Sequence, residues 1–399
     1  MSSESPTSNQ PADWGVLISA SGETDAVEPV TVEANPGQGS EAGIAGHGPS
    51  RSLALDVVRI CAILGVVAIH SFGYIVTNVA IEGSVDWWFA TAIDYGSRWV
   101  VPVFVMVSGA LLLSPRAHAE GPAAFYRKRL FRLGPAFVVW QLFYVFIVRI
   151  WLTHEALSRG AILQLFANGT TYEQLYFLWL IVGLYLVAPV LAAFLREGGP
   201  TRAYIFAAAV LVFTLAVYAL TNLSALNGDP QPIVLNALTE WLPYVGYFLA
   251  GWALRNAVLR SLWTILVGVI TAGLLVETVW QYVNRGHLTL LQAVSPVSYL
   301  GAIVAISSIG IFLVGQGIFA SVKPSRRTSR VVVETSAASF GVFLVHAFLI
   351  VAALTLIPWI GSHIDSNILV ALGVWLGAVV VSFAISIGAR RVPVLRLFF

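Results

Sequence analysis

The sequence predicts an all-α, polytopic membrane protein with about ten transmembrane helices, preceded by a disordered N-terminal tail. Three observations carry this. Mean hydropathy is +0.82, with 58% hydrophobic and 11% charged residues, more apolar surface than a soluble domain of 399 residues can bury. Apolar stretches of the length needed to cross a bilayer, about 17–25 residues, recur ten times. Lysine and arginine fall on alternate loops, as the positive-inside rule requires of a multi-pass chain.

The first fifty residues stand apart. They hold seven acids and no Lys or Arg, and the formal net charge of +2 for the chain therefore leaves +9 on residues 51–399. Rich in Ser, Gly, Pro, Glu and Ala and without sustained apolar periodicity, residues 1–50 read as a disordered acidic cytoplasmic tail. No basic stretch followed by an apolar core marks them as a cleavable signal. The second unit, 51–399, is the transmembrane domain.

The expected spans lie near 53–76, 88–114, 130–153, 175–195, 203–222, 237–254, 261–283, 293–320, 332–357 and 367–389, with Pro243 and Pro296 interrupting the sixth and eighth. With the N-terminus inside, Arg116, Arg127, Lys128, Arg129, Arg132, Arg196, Arg202, Arg255, Arg260, Lys323 and Arg326 fall on the inner side. Only Arg98, Arg149, Arg159 and Arg285 fall toward the outer one, where Glu82, Asp86, Glu155, Glu173, Asp229 and Asp365 collect. Both termini are therefore expected in the cytoplasm, in the plasma membrane. The one cysteine, Cys61, excludes disulfides and thiolate metal sites within one chain, and no metal site, permanently bound cofactor or nucleic-acid partner is expected.

The first span is the most informative. It is apolar enough to cross a bilayer yet carries Asp56, Arg59 and His70. Charged groups at that depth cost on the order of 2.5–3.5 kcal/mol each on insertion scales, so they are rare and functional. Eleven residues of helix turn through about 1100°, roughly 20° past three full turns, which puts Arg59 and His70 on one face about 16 Å apart. Asp56 lies one turn below on nearly the same side. A histidine there can serve as a general base at neutral pH.

Five further features join it. Ser108 and Gly109 end the second span, where small residues either let helices approach or, for Ser108, line a cavity. The basic run Arg127-Lys128-Arg129 with Arg132 either fixes topology and meets lipid heads or forms a nest for phosphates. Arg129 and Arg132, one turn apart, are its ligand-facing pair. The fourth span carries Tyr185, and the ninth a second histidine, His346, after Ser339 and Gly341; both are candidates to line a polar cavity. Asp94 and Arg98, four residues apart, are expected to pair.

These pieces, in this order, resemble the acyltransferase 3 family of integral-membrane acyltransferases. The likeness rests on Asp56, Arg59 and His70 at their spacing, on Pro102, Phe104, Ser108 and Gly109, on Lys128, Arg129, Arg132 and Pro135, and on Ser339, Gly341, Phe343, Leu344 and His346. It covers roughly residues 52–389. Two departures occur in the fourth span. The family's His-Leu-Trp-Phe-Leu is Gln174-Leu175-Tyr176-Phe177-Leu178 here, and a glutamate of some members is replaced by Gly183 and Leu184.

The resemblance implies transfer of an acyl group, most often acetyl, from acyl-CoA as co-substrate to a hydroxyl of an envelope glycan or lipid-linked sugar. The donor phosphates are then expected on Arg59, Lys128, Arg129 and Arg132, with Ser108 beside the thioester, and His70 as base. A secondary transporter is the competing reading, because ten spans with buried charges suit one too. The absence of an evident internal repeat counts against it.

Overall fold

A computed structural model describes residues 52–399; the acidic tail and Arg51 lie outside the described residues. All regular structure among the described residues is helical. Helix α1 (Leu53–Thr77) is followed by α2 (Val85–Gly96) and α3 (Val100–Leu112), which together make one crossing, and then by α4 (Gly121–Phe143), which widens into a π-helical stretch over Tyr144–Leu152. Helices α5 (Arg159–Asn168), α6 (Tyr176–Glu197), α7 (Gly199–Leu226), α8 (Val245–Leu254) and α9 (Ser261–Val283) come next. The chain closes with α10 (Thr289–Val294), α11 (Ala302–Phe319), α12 (Arg326–Leu356), α13 (Pro358–Gly361) and α14 (Ile368–Ala389).

Nine of the described helical segments are long and apolar enough to cross a membrane. The sixth expected span differs. Its helix covers only Leu242–Leu254, thirteen residues or about 20 Å, against a hydrocarbon thickness of about 30 Å. Residues 229–235 are non-helical, and Trp241, just before Pro243, packs on Gly183 in the middle of α6. Pro296 likewise ends the helical reading of the eighth span early. Residues 296–301 carry no helix, so α10 is a separate short element and α11 begins at Ala302.

Small residues set how closely the helices approach. A Cβ on Gly109 of α3 would strike the Phe248 carbonyl of α8, and one on Gly251 of α8 would strike the Met106 carbonyl of α3, so each glycine makes room for the other helix's backbone. A second seam joins α9 to α11. Thr264, Thr271 and Thr278 recur every seven residues, and Thr271 and Thr264 face Gly310 and Gly317, themselves seven apart. Each threonine returns its hydroxyl to its own helix, Thr271 Oγ1 to Val267 O at 2.7 Å and Thr278 Oγ1 to Leu274 O at 2.8 Å. The threonine hydroxyls are thus paired within the seam.

The two ends of the bundle can be told apart by contacts. Ser336 Oγ, near the start of α12, donates to Asp56 Oδ1, near the start of α1, at 2.6 Å. Arg390, just past α14, donates to the Glu334 carbonyl at 3.5 Å. Residues 52 and 390 therefore lie at one end of the bundle. At the other end Trp87 Nε1 donates to the Val76 carbonyl at 3.2 Å, and Asn78 Nδ2 to that of Asp365 at 3.0 Å.

Candidate active site

A single cavity of about 970 Å³ runs through the bundle along α1. Asp56, Arg59 and His70 all line it, so the face deduced from helical spacing is the face turned to the void. Arg129 and Arg132 of α4, Ser108 of α3, Tyr185 of α6 and Arg390 join them. The Arg59 end thus presents four guanidinium groups and one carboxylate. Arg129 is held over the rings of Phe125 and Tyr185, at 5.2 and 5.7 Å from their centroids, so Tyr185 is both a wall and a support for the cation.

Two expected residues lie outside the cavity, while Ser108 lines it as expected. Lys128 does not line the cavity; its side chain is largely exposed and pairs with Glu120 at 2.5 Å. It sits 100° around α4 from Arg129, on the far side of Arg132. His346 does not line the cavity either. It is fully buried behind His70, ring centroids 5.2 Å apart, with Nδ1 3.0 Å from the Val342 carbonyl and no hydrogen-bond partner at Nε2. Ser108 faces the void but gives its proton to the Phe104 carbonyl at 2.8 Å, so what it offers a ligand in this rotamer is an acceptor. The neighbouring Gly109 does the helix packing.

The structure also brings in residues that sequence reading left elsewhere. Glu173 Oε2 lies 3.6 Å from His70 Nδ1. It was one acid among several at an outer membrane edge, and its signal was position alone: it directly precedes the segment where the family motif changes to Gln174 and Tyr176, both of which line the cavity. Asp94 and Arg98 form the expected ion pair at 2.6 Å and border the same void. Asp94 is buried and Arg98 partly so, and Tyr95 lies under the guanidinium at 4.4 Å. Among the described residues no group of His, Cys, Asp and Glu is arranged to hold a metal ion.

The wall carrying Glu173 is braced from outside. Arg149, in the π-helical stretch, pairs with both oxygens of Glu155 at 2.6 Å and donates to the Thr171 carbonyl at 3.3 Å. The guanidinium beside it holds the Glu155 carboxyl below the ordinary carboxylate value. Tyr172 stacks on Tyr144 with centroids 4.7 Å apart. Burial pushes the Tyr172 phenol above its ordinary value, so it meets the cavity uncharged.

The cavity of this helical membrane domain joins a cluster of cations, able to hold an anionic group, to a histidine–carboxylate contact, able to move a proton. The chain matches the model of the acyltransferase 3 family, described as an acyltransferase domain, over residues 52–390, and it belongs to that family. It is an integral-membrane acyltransferase. No curated protein and no solved structure matches it.

Proposed function

We propose that the protein moves an acetyl group from cytoplasmic acetyl-CoA to a hydroxyl of a cell-surface carbohydrate. One observation carries this reading: the guanidinium cluster and the His70–Glu173 contact border the same void. They are separated by about 16 Å of helix rise, comparable to the reach of a phosphopantetheine arm. The excess of Lys and Arg on the loops of the Arg59 side supports a cytoplasmic orientation for that end.

In this reading the donor's phosphates rest on Arg59, Arg129 and Arg132, and its thioester reaches His70. Glu173 faces Nδ1 and favours the tautomer with the proton there, which leaves Nε2 as the base. The acceptor hydroxyl gives its proton to Nε2 as its oxygen attacks the thioester carbonyl. Collapse of the tetrahedral intermediate breaks the carbon–sulfur bond, and the imidazolium returns the proton to the departing thiolate. The products are an O-acetyl ester and free CoA.

The test is membranes containing the protein, given labelled acetyl-CoA and envelope material. Transfer is expected to vanish in His70→Ala and in Arg59→Ala while folded protein persists. Undiminished transfer in both variants removes the assignment.

A further inference from the structure

The cavity changes its electrical character along its length. At the Arg59 end, Arg59, Arg129, Arg132 and Arg390 stand against the single acid Asp56. Beyond His70 the balance reverses. There the charged wall consists of Arg98, Asp94 and Glu173, one cation against two acids. The cation is already engaged: Asp94 holds it at 2.6 Å and the Tyr95 ring lies against it. The Glu173 side chain, by contrast, is 81% exposed beside His70 and lines the void. Four aromatic rings, Tyr74, Tyr172, Phe177 and Tyr299, share this part of the wall with Thr77, Gln174 and aliphatic side chains.

We infer that the ring accepting the acyl group is an uncharged, polyhydroxylated one, a neutral pyranose or furanose or another neutral polyol, and that Glu173 and the closed Asp94–Arg98 pair exclude acceptors carrying a carboxylate or phosphate on that ring. This deepens the function proposed above and rests on it. The physical case has three parts. Aromatic faces suit the apolar C–H face of a sugar ring, and the phenol hydroxyls suit its edge. A carboxylate on the ring would be brought beside Glu173, where like charges repel. No cation in this half is available to compensate, because recruiting Arg98 means taking it from Asp94 and leaving that acid buried and unpaired. The inner half solves the opposite problem, an anionic donor, with four cations. Donor and acceptor are thus sorted to opposite ends by sign as well as by shape.

The experiment compares transfer in membranes to matched pairs of acceptors, a neutral oligosaccharide and the same chain with uronic acid in place of the neutral hexose, measured as kcat/KM for each. The neutral acceptor is expected to win by at least tenfold in the unaltered protein. In Asp94→Asn, which keeps the shape and releases the Arg98 charge, the ratio is expected to shift at least tenfold toward the uronic acid. Because that variant can fail to fold, Asp94→Asn combined with Arg98→Gln removes both charges together, and it should restore the neutral preference. Equal or better use of the anionic acceptor by the unaltered protein overturns the inference while leaving acyl transfer to carbohydrate intact. Transfer to neither acceptor, with CoA release also absent when native envelope material is supplied, overturns the proposed function and this inference with it.

Discussion

The Tyr144 hydroxyl donates to the Leu344 carbonyl at 2.8 Å and accepts the Phe348 amide at 3.0 Å, the two groups of α12 that pair with each other in an uninterrupted helix. His346 lies midway between them in sequence, against His70. The π-helical stretch that begins at Tyr144 is thereby tied to the helix that backs His70, and through the Tyr172 ring contact to the segment bearing Glu173. Tyr144→Phe keeps the ring contacts and removes only the oxygen. Two hydrogen bonds worth about 1 kcal/mol each are lost, partly regained if Leu344 and Phe348 close on one another. The expected result is a lower melting midpoint of the purified protein in detergent, by a few degrees. An unchanged midpoint would show that the hydroxyl is not carrying that bridge.

The basic run on α4 offers a contrast between neighbours. Arg132 lines the cavity, whereas Lys128 lies outside it against Glu120. If the cations hold the donor's phosphates, Arg132→Ala should raise the KM for the acyl donor about tenfold or more, a loss typical of one charge-assisted contact of about 1.5–3 kcal/mol. Lys128→Ala should leave KM within twofold, because an exposed pair contributes little. Equal effects at the two positions would mean that the run acts through surface charge rather than through the cavity.

How much of this was legible beforehand depends on distance along the chain. Arg59 and His70 belong to one helix, so the 3.6-residue period alone placed them on one face, and the Asp94–Arg98 pair followed from the same geometry. The spans showed because lipid demands long apolar runs. The short α8 did not, because hydropathy registers apolar character and not whether the backbone is helical, and residues 237–254 are apolar throughout their later part. Glu173 was illegible for a different reason. Its contact with His70 joins residues a hundred positions apart, and nothing local separates an acid that reaches a base from one that faces water. His346 shows the converse. Its motif position was visible, but whether the ring looked into a void or at another ring is a matter of tertiary packing.

The close crossing of α3 and α8 is testable by volume. Gly251→Val places three carbons where the Met106 backbone lies. Backbone cannot rotate away as a flexible side chain does, so the helices must part, at a cost of about 1–3 kcal/mol or more. Expression in membranes and the detergent melting midpoint should both fall. Gly273→Val is the control, since a Cβ there meets nothing within 4 Å and the residue lies within α9. It should be tolerated.

A pH effect on stability is expected from His118, in the turn between α3 and α4. Burial holds its imidazole below the ordinary value of 6.5, although its Nε2 lies 2.7 Å from the Leu112 carbonyl, which acts in the other direction. The unfolded chain therefore binds a proton at higher pH than the folded one does. Stability from this group is complete above about 6.5 and is lost as pH falls toward the folded value. The melting midpoint should decline between pH 8 and pH 5, and His118→Phe, which preserves stacking on Phe125, should flatten part of that decline. A variant with an unaltered slope would assign the effect to other groups.

Glu173 offers the sharpest separation of a positioning role from a binding one. Its carboxylate approaches His70 Nδ1 and lies at the opposite end of the cavity from the cation cluster. Removing its charge should therefore leave donor binding alone and impair proton transfer. General acid–base catalysis is worth about 10²–10⁴-fold in total, and a group that orients the base commands a fraction of it. Glu173→Gln is expected to lower kcat about tenfold to a hundredfold, with the KM for the acyl donor unchanged. Glu173→Asp, which retains the charge on a shorter arm, should recover part of the rate. A rise in KM without a fall in kcat would place Glu173 in ligand binding instead, and would leave the tautomer of His70 to be set by its other neighbours.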